Sequence, residues 1–520
     1  MEDKKHSDNS PEIIGESTKK QIRGSGLLLS GRLVSLALNL LTQVLIIRYL
    51  SKVDYGLFAY TLALVGTFSS VNRLGMERTV ARFVPIYQER QDPASAAGTV
   101  VLAFAVISAL GFAILALAIG FSSFLTETII ENPAVISILL VLIALAPVNA
   151  FDNVLEALFS ALGKPRIIFL RKYVVAPCLK LAAISLTILI GSNVHTLAIA
   201  YVFAGLIGAI LYGVLLPKVL REHDFIEFFR PGKFSINSRR LFRFTMPIFT
   251  ADMLGALRPV LVLAALEYLH GISNVADFRA AVPIARLNGV VLVSFSLLFL
   301  PIAARMFAQK NTALLRDMKL HSSLWVTVLS YPVFATCISL SDPLIVLLIG
   351  ERYSSSAPIL AILAVGYFFE AALGLNRQTL RALGKVRVLL QIEVITIVAL
   401  LILTLLLVPG PGAIGAAVAT SASMILYSCI NTFMLWRITG SNPLPWLYAR
   451  VYLIAAVCAL GLWLAKSLLG IDSISASLAL AGLTSMIVVL SCWRLLRFAE
   501  IFPEAPRILK SVKRFLGVST

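Results

Sequence analysis

The chain has 520 residues, 58% of them hydrophobic and only 14% charged, with a formal net charge of +18 and a mean hydropathy of +0.89. Soluble domains run at roughly 45–50% apolar and about 25% charged, so no water-soluble fold could bury this much apolar surface, and lipid must solvate much of it. The basic residues sit in short segments between apolar runs, which fits membrane topology and argues against a nucleic-acid-binding role.

Residues 1–23 are polar and read as a cytoplasmic tail. The first apolar run, Gly24 to Leu50, is too long for the core of a signal peptide and lacks a small-residue cleavage site, so it is expected to stay as the first membrane helix. Crossing the hydrocarbon core takes about 20 apolar residues. Runs of that kind fall near 24–50, 55–73, 96–121, 134–160, 167–190, 195–217, 243–266, 277–302, 322–340, 357–376, 386–408, 413–436, 447–468 and 474–496. The expected fold is therefore all-α, a polytopic membrane protein of about fourteen spans. Pro343 to Ile349 is too short to cross and is placed at the surface before span 10.

Charge placement supports the count. With the N-terminus in the cytoplasm, cytoplasmic segments hold 36 Lys and Arg, the opposite side holds five, and four (Arg32, Lys180, Arg258 and Arg286) lie within spans. This is the asymmetry of the positive-inside rule, and it puts both termini in the cytoplasm.

The sequence also repeats. "ALGKPRIIFL" at 161–170 returns as "ALGKVRVLLQ" at 382–391, "SKVDYG" at 51–56 as "SNVADF" at 273–278, and "TVARFV" at 79–84 as "IAARMF" at 302–307. Six spans separate the copies, so both halves keep one orientation. The expected organisation is two six-helix bundles, 24–217 and 244–436, in a parallel repeat around a central cavity, joined by a basic cytoplasmic linker at 218–243. Spans 13 and 14 occupy 437–496, and a basic cytoplasmic tail fills 497–520. The linker contains "RPGKFSINSRR", whose Pro, Gly, Ser and Asn suit a loop and whose charge suits an anionic leaflet.

Ionisable residues inside spans each cost about 2.5–3.5 kcal/mol on an insertion scale and persist where they face water, pair or act. Arg32 lies deep in span 1. Arg258 lies in span 7, its counterpart by the repeat, and Arg286 in span 8. Guanidinium groups never lose their charge and grip phosphate bidentately, so these three are candidates for a phosphorylated substrate; structural pairing, such as Arg32 with Asp252, is the alternative. Arg73 and Arg78, with Arg82, would ring the cytoplasmic mouth after span 2. Lys180 would pair with Glu393 or snorkel. Asp152 and Glu156, four apart on one face of span 4, together with Asp252 and Glu370, are candidates for a coupling ion or for answering nearby arginines. Pro247 and Pro259 would let span 7 bend. The five cysteines fall in apolar runs without metal-ligand spacing, and neither the cysteines nor the five histidines suggest a metal or nucleophile centre. No cofactor is called for.

The opening "GSGLLLSGRLVSLALNLLTQVLIIRYLSKVDYGLFAYTLALVGTFSSVNRLGMERTVARF", followed by "ALGKPR", "GERYSSSAPILAILA" and "VPGPGAIGAAVATSAS", resembles the polysaccharide-transport family. These are O-antigen and exopolysaccharide flippases of the multidrug/oligosaccharidyl-lipid/polysaccharide exporter superfamily, and the resemblance covers spans 1–12. It implies a V-shaped pair of bundles with a hydrated cavity and translocation of a polyprenyl-pyrophosphate-linked oligosaccharide from the inner to the outer leaflet of the plasma membrane. It also implies that proton or sodium coupling is allowed and that membrane lipid and polysaccharide polymerase machinery are partners. Related lipid II flippases use arginines in helices 1 and 8, the spans that carry Arg32 and Arg286 here. A multidrug antiporter of the same superfamily is the first alternative. Such proteins often carry an acidic residue in helix 1, and Gly24 to Leu50 has none. A membrane glycosyltransferase or polymerase is the second; it would need acidic catalysts in external loops, and "SKVDYG" offers only Asp54.

Overall fold

The computed structural model describes residues 31–121, 133–191, 193–222, 226–230, 233–309, 311–440, 442, 445–469 and 473–492. Both predicted tails, the start of span 1 and parts of the linker lie outside these residues. Every regular element among the described residues is helical. Among the described residues, twelve helices are long and apolar enough to cross a membrane. The other two expected spans, 55–73 and 447–468, are helical but fall below that threshold, so twelve spans are supported and the count of fourteen is not confirmed. Lipid as solvent explains the outward faces: Phe112 is 76% exposed, Val214 70% and Leu189 83%. In water each such side chain would forfeit about 1.5–3 kcal/mol.

The chain forms two compact units, residues 1–279 and 280–520. The first holds α1 (Gly31–Tyr49), α2 (Lys52–Arg73), α3 (Met76–Glu89), α4 (Pro93–Gly120), α5 (Pro133–Ala161), α6 (Pro165–Ile190), α7 (Val194–Glu222) and α8 (Ser238–His270), and it takes in the start of α9 (Ile272–Ala285). The seventh span thus belongs to the first compact unit, because α8 packs along α2. The second holds α10 (Val290–Ala308), α11 (Thr312–Ser339), α12 (Ser341–Leu348), α13 (Ser356–Leu373), α14 (Leu375–Ala382), α15 (Val386–Leu407), α16 (Ala413–Thr439), α17 (Trp446–Leu469) and α18 (Ile474–Cys492). The segment judged too short to cross is α12, eight residues long.

The stretch after span 2, which carries Arg78 and Arg82, forms the amphipathic helix α3. Met76, Val80, Phe83, Val84 and Tyr87 recur at helical spacing and are buried, joining α4, α5, α7 and α8 in the core of the first unit. Leu74 (φ 45°) and Gly75 (φ 70°) adopt left-handed backbone and turn the chain from α2 into α3. The linker is also partly helical. α7 runs to Glu222 and α8 starts at Ser238, while the described loop between them returns to α4, where the Ser235 amide donates to the Ala94 carbonyl at 3.1 Å. Gly98 permits this approach, since a Cβ there would collide with the Ser235 carbonyl.

The repeat is visible as geometry. After α5, the Lys164 amide donates to Phe159 O at 2.9 Å with Gly163 at φ 66°; after α14, the Lys385 amide donates to Leu380 O at 3.1 Å with Gly384 at φ 70°. Both are Schellman stops, built by the two "ALGK" copies at matching places. The "SKVDYG" and "SNVADF" copies lie against each other: Lys52 Nζ pairs with Asp277 Oδ1 at 2.8 Å, and Tyr55 donates to the Arg279 carbonyl at 3.2 Å. Gly56 presses on the Ile272 carbonyl, which a Cβ would overlap. The Gly56→Ala protein should therefore be destabilised by about 1–3 kcal/mol, read as a lower melting temperature in detergent. An unchanged melting temperature would show that this approach is not tight.

Candidate functional site

In the first unit, α1 and α6 run side by side. Gly31 lets the Phe169 ring within 2.6 Å of its ideal Cβ position and Tyr173 within 3.1 Å, and Tyr49 donates to the Thr187 carbonyl at 3.3 Å. Residue numbers rise together along this contact, so the two helices are parallel, as two odd-numbered spans must be. Arg32, next to Gly31, makes no hydrogen bond or ion pair among the described residues and is half-buried. Arg258 in α8 is also half-buried.

The arginines of the expected mouth have separate fates. Arg78 Nη2 pairs with Asp252 Oδ1 at 2.7 Å, joining α3 to α8. The side chains of Thr79 and Thr245 meet at 2.5 Å on the same seam. Arg82 lies over the Phe244 ring at 4.5 Å, and Arg73 donates to Ser70 Oγ at 3.0 Å. Asp252, offered as a partner for Arg32, is thus held by Arg78. α8 continues through Pro247 and Pro259 as one helix.

Asp152 and Glu156 do share one face of α5, and each meets a cation from the π-helical turn Phe169–Val175 within α6. Arg171 Nη2 pairs with Asp152 Oδ1 at 2.7 Å, and Lys172 Nζ with Glu156 Oε1 at 2.7 Å. Arg171 is 6% exposed, donates through Nε to the Gly208 carbonyl at 2.7 Å, and lies 5.3 Å over the Tyr212 ring. A Cβ on Gly208 would collide with the guanidinium. Arg171 and Lys172 were counted with the cytoplasmic charges, but they belong inside the sixth helix. Extra residues in a π turn re-aim side chains, and here they point two cations at α5.

In the second unit, α9 and α10 are separated by a 3-10 turn at Arg286–Gly289, so the expected continuous eighth span is broken at Arg286. Arg286 Nε bonds Tyr367 Oη at 3.1 Å. Glu370, three residues along α13 and so on the same face, lies within the field of Arg286. Beside it is a small, partly open cavity of about 30 Å³, lined by Glu370, Arg377, Gln378, Tyr427, Ser428 and Asn431 among others. The Arg377 guanidinium lies 5.7 Å over the Tyr427 ring, and Tyr427 Oη donates to Glu393 Oε1 at 3.0 Å. Glu393, matched with Lys180 from sequence, accepts this bond from Tyr427 within the second unit. At the repeat offset of 221 residues, Arg377 stands where the first half has Glu156, and Glu393 where it has Lys172. The two halves carry the same pair of positions with the charges exchanged. Arg171, Tyr367, Arg377 and Tyr427 were not singled out in the sequence. The offset alone would have flagged Arg377 and Glu393.

Comparison with known proteins follows this geometry. A family model described as "Polysaccharide biosynthesis protein" matches residues 22–307. An uncharacterized membrane protein of Methanocaldococcus jannaschii is 22% identical over 431 residues, covering 80% of this chain and 84% of that protein. A Shigella flexneri protein named as an O-antigen transporter is 22% identical over 409 residues, covering 78% of this chain and 92% of that one. Among solved structures, the lipid II flippase MurJ in an inward closed conformation is similar with a TM-score of 0.65 at 17% identity, covering 92% of this chain and 100% of that one. An inward-facing multidrug MATE transporter is similar with a TM-score of 0.63 at 15% identity, covering 80% and 98%. The fold is similar to that of these two solved transporters. With more than half of its length under the family model, the chain belongs to the polysaccharide biosynthesis protein family.

Proposed function

We propose that the chain is a flippase, not an enzyme, that carries a polyprenyl-pyrophosphate-linked oligosaccharide from the inner to the outer leaflet of the plasma membrane by alternating access, with both termini in the cytoplasm. The observation that carries this reading is Arg32: a permanent charge in a membrane helix with no counter-ion among the described residues. Such a group is costly unless something else supplies the anion, and a pyrophosphate offers oxygens that suit a guanidinium fork. Arg258 and Arg286 are proposed to offer further guanidinium groups to the headgroup, each within its own unit. Arg73 donates to Ser70 Oγ and lies in the field of Glu77, and it is proposed to make a first encounter with the headgroup. Arg78, held by Asp252, reads as a structural tie. Glu370, beside Arg286 and the polar cavity, is the best-placed acid for proton or sodium coupling. The described part of α1 carries no Asp or Glu, which separates it from antiporters that hold a cation there. A polysaccharide polymerase acting on the delivered unit is the proposed partner.

Loss of the gene tests the reading. A polyprenyl-pyrophosphate oligosaccharide should accumulate on the cytoplasmic leaflet, with drug susceptibility unchanged. Raised drug susceptibility with no accumulated lipid would overturn it in favour of an antiporter.

A further inference from the structure

Lys180 is a further intramembrane cation that makes no ion pair among the described residues. It sits in α6, ten residues before the end of that helix at Ile190, which is about 15 Å at 1.5 Å per residue and so near the middle of the hydrocarbon core. A lysine stem cannot snorkel that far. The side chain is exposed, and an exposed cation at that depth persists where it faces water rather than lipid. Its ammonium lies 6.0 Å from the Tyr201 ring, which is itself fixed edge-on against Phe58 at 5.3 Å. Asp152, the carboxylate whose field reaches it, is already bound by Arg171 at 2.7 Å. The fold does not require a lysine there. At the repeat offset of 221 residues the second half carries Leu401, so an apolar side chain serves the same helical position.

The parallel contact of α1 and α6 fixes the level of Lys180 relative to Arg32. Gly31 abuts Tyr173, and Tyr49 reaches Thr187. Lys180, seven residues beyond Tyr173, is therefore about 10 Å deeper along the membrane normal than Arg32. We propose that Lys180 is a midplane station for the pyrophosphate group of the cargo, receiving the oxyanion after it leaves Arg32. This rests on the flippase reading. A flexible ammonium suits a transient station better than a guanidinium fork, because it binds as a point charge and lets go without breaking a bidentate pair.

The test uses the full-length protein in proteoliposomes with three probes: a short-chain polyprenyl pyrophosphate carrying a neutral disaccharide, the same disaccharide on uncharged polyprenol, and a polyprenyl pyrophosphate carrying an acidic sugar. Lys180→Met should slow translocation of the first probe about tenfold, Lys180→Arg should restore most of it, and any movement of the uncharged probe should not respond. Because the substitution removes an uncompensated charge and strands nothing, the melting temperature of Lys180→Met in detergent should hold or rise. A wild-type rate for Lys180→Met overturns the proposal, as does a loss of rate accompanied by a fall in melting temperature, which would mark a structural lysine. Slowing confined to the acidic-sugar probe would move the ligand from the carrier to the glycan and overturn the assignment to pyrophosphate. Arg32→Ala separates the two levels. If it blocks transport while Lys180→Met does not, only the station fails; if neither variant has an effect, the flippase reading fails with it.

Discussion

Replacing Arg32 by alanine should stop the lipid-linked glycan from reaching the outer leaflet while leaving protein abundance unchanged. The two halves of that expectation rest on one fact: Arg32 has no ion-pair partner among the described residues. Truncating an arginine that holds a carboxylate strands the carboxylate, and the fold suffers. Truncating Arg32 strands nothing, so its loss should be felt only when the cargo arrives. A charge-assisted bond is worth about 1.5–3 kcal/mol, which converts to roughly ten- to hundredfold in rate or affinity. Arg32→Lys should recover part of this, since an ammonium keeps the charge but not the fork. Export would be measured by surface labelling of the glycan, and abundance by immunoblot of membranes. Normal export in Arg32→Ala would remove the assigned role. Parallel loss of protein would show that Arg32 serves folding.

The largest effect on stability is expected at Arg171. Arg171→Leu removes a 2.7 Å ion pair with Asp152, a 2.7 Å bond to the Gly208 carbonyl and the stack on Tyr212. Breaking a buried pair by deleting one partner costs about 3–5 kcal/mol. The Asp152 side chain keeps 28% of its surface, so the lower end of that range applies. Replacing both partners with leucine should recover much of the loss, because the second half already packs Leu373 and Ile392 at the two equivalent positions. The Glu156–Lys172 pair is more open, with side-chain exposures of 27% and 45%, and its loss should cost no more than about 1 kcal/mol. Melting temperatures in detergent for the single and double variants complete the cycle. Equal melting temperatures for Arg171→Leu and wild type would mean that the pair contributes nothing.

Spans and repeat were legible because both leave marks along the chain. Length and hydropathy marked most spans, and the "ALGK" copies marked the two Schellman stops. α3 escaped because Glu77, Arg78 and Arg82 make its stretch polar on average, although the buried side is spaced at helical intervals from Met76 to Tyr87. A periodicity test would have found it where a hydropathy window did not. The acid pair on α5 was legible from its four-residue spacing. Its partners were misplaced because the positive-inside rule sweeps cations near a span end into the adjoining loop, whereas the π turn carries Arg171 and Lys172 into the bundle. The Arg78–Asp252 tie joins residues 174 apart, and nothing local announces it. Arg286 was identified, but the 3-10 break that presents it was not, since "RLNG" interrupts an otherwise apolar run by only a few residues.

The central claim is that guanidinium groups within the membrane helices receive a phosphorylated lipid. The most direct test is photocrosslinking of the full-length protein in vesicles with a diazirine-bearing polyprenyl pyrophosphate, followed by mapping of the labelled peptides. Label is expected on α1 around Arg32 and on the turn around Arg286, and a sugar-bearing polyprenyl pyrophosphate should compete it away while the uncharged polyprenol does not. Label confined to lipid-facing residues such as Phe112 and Leu189, or displaced equally by the uncharged lipid, would contradict the account.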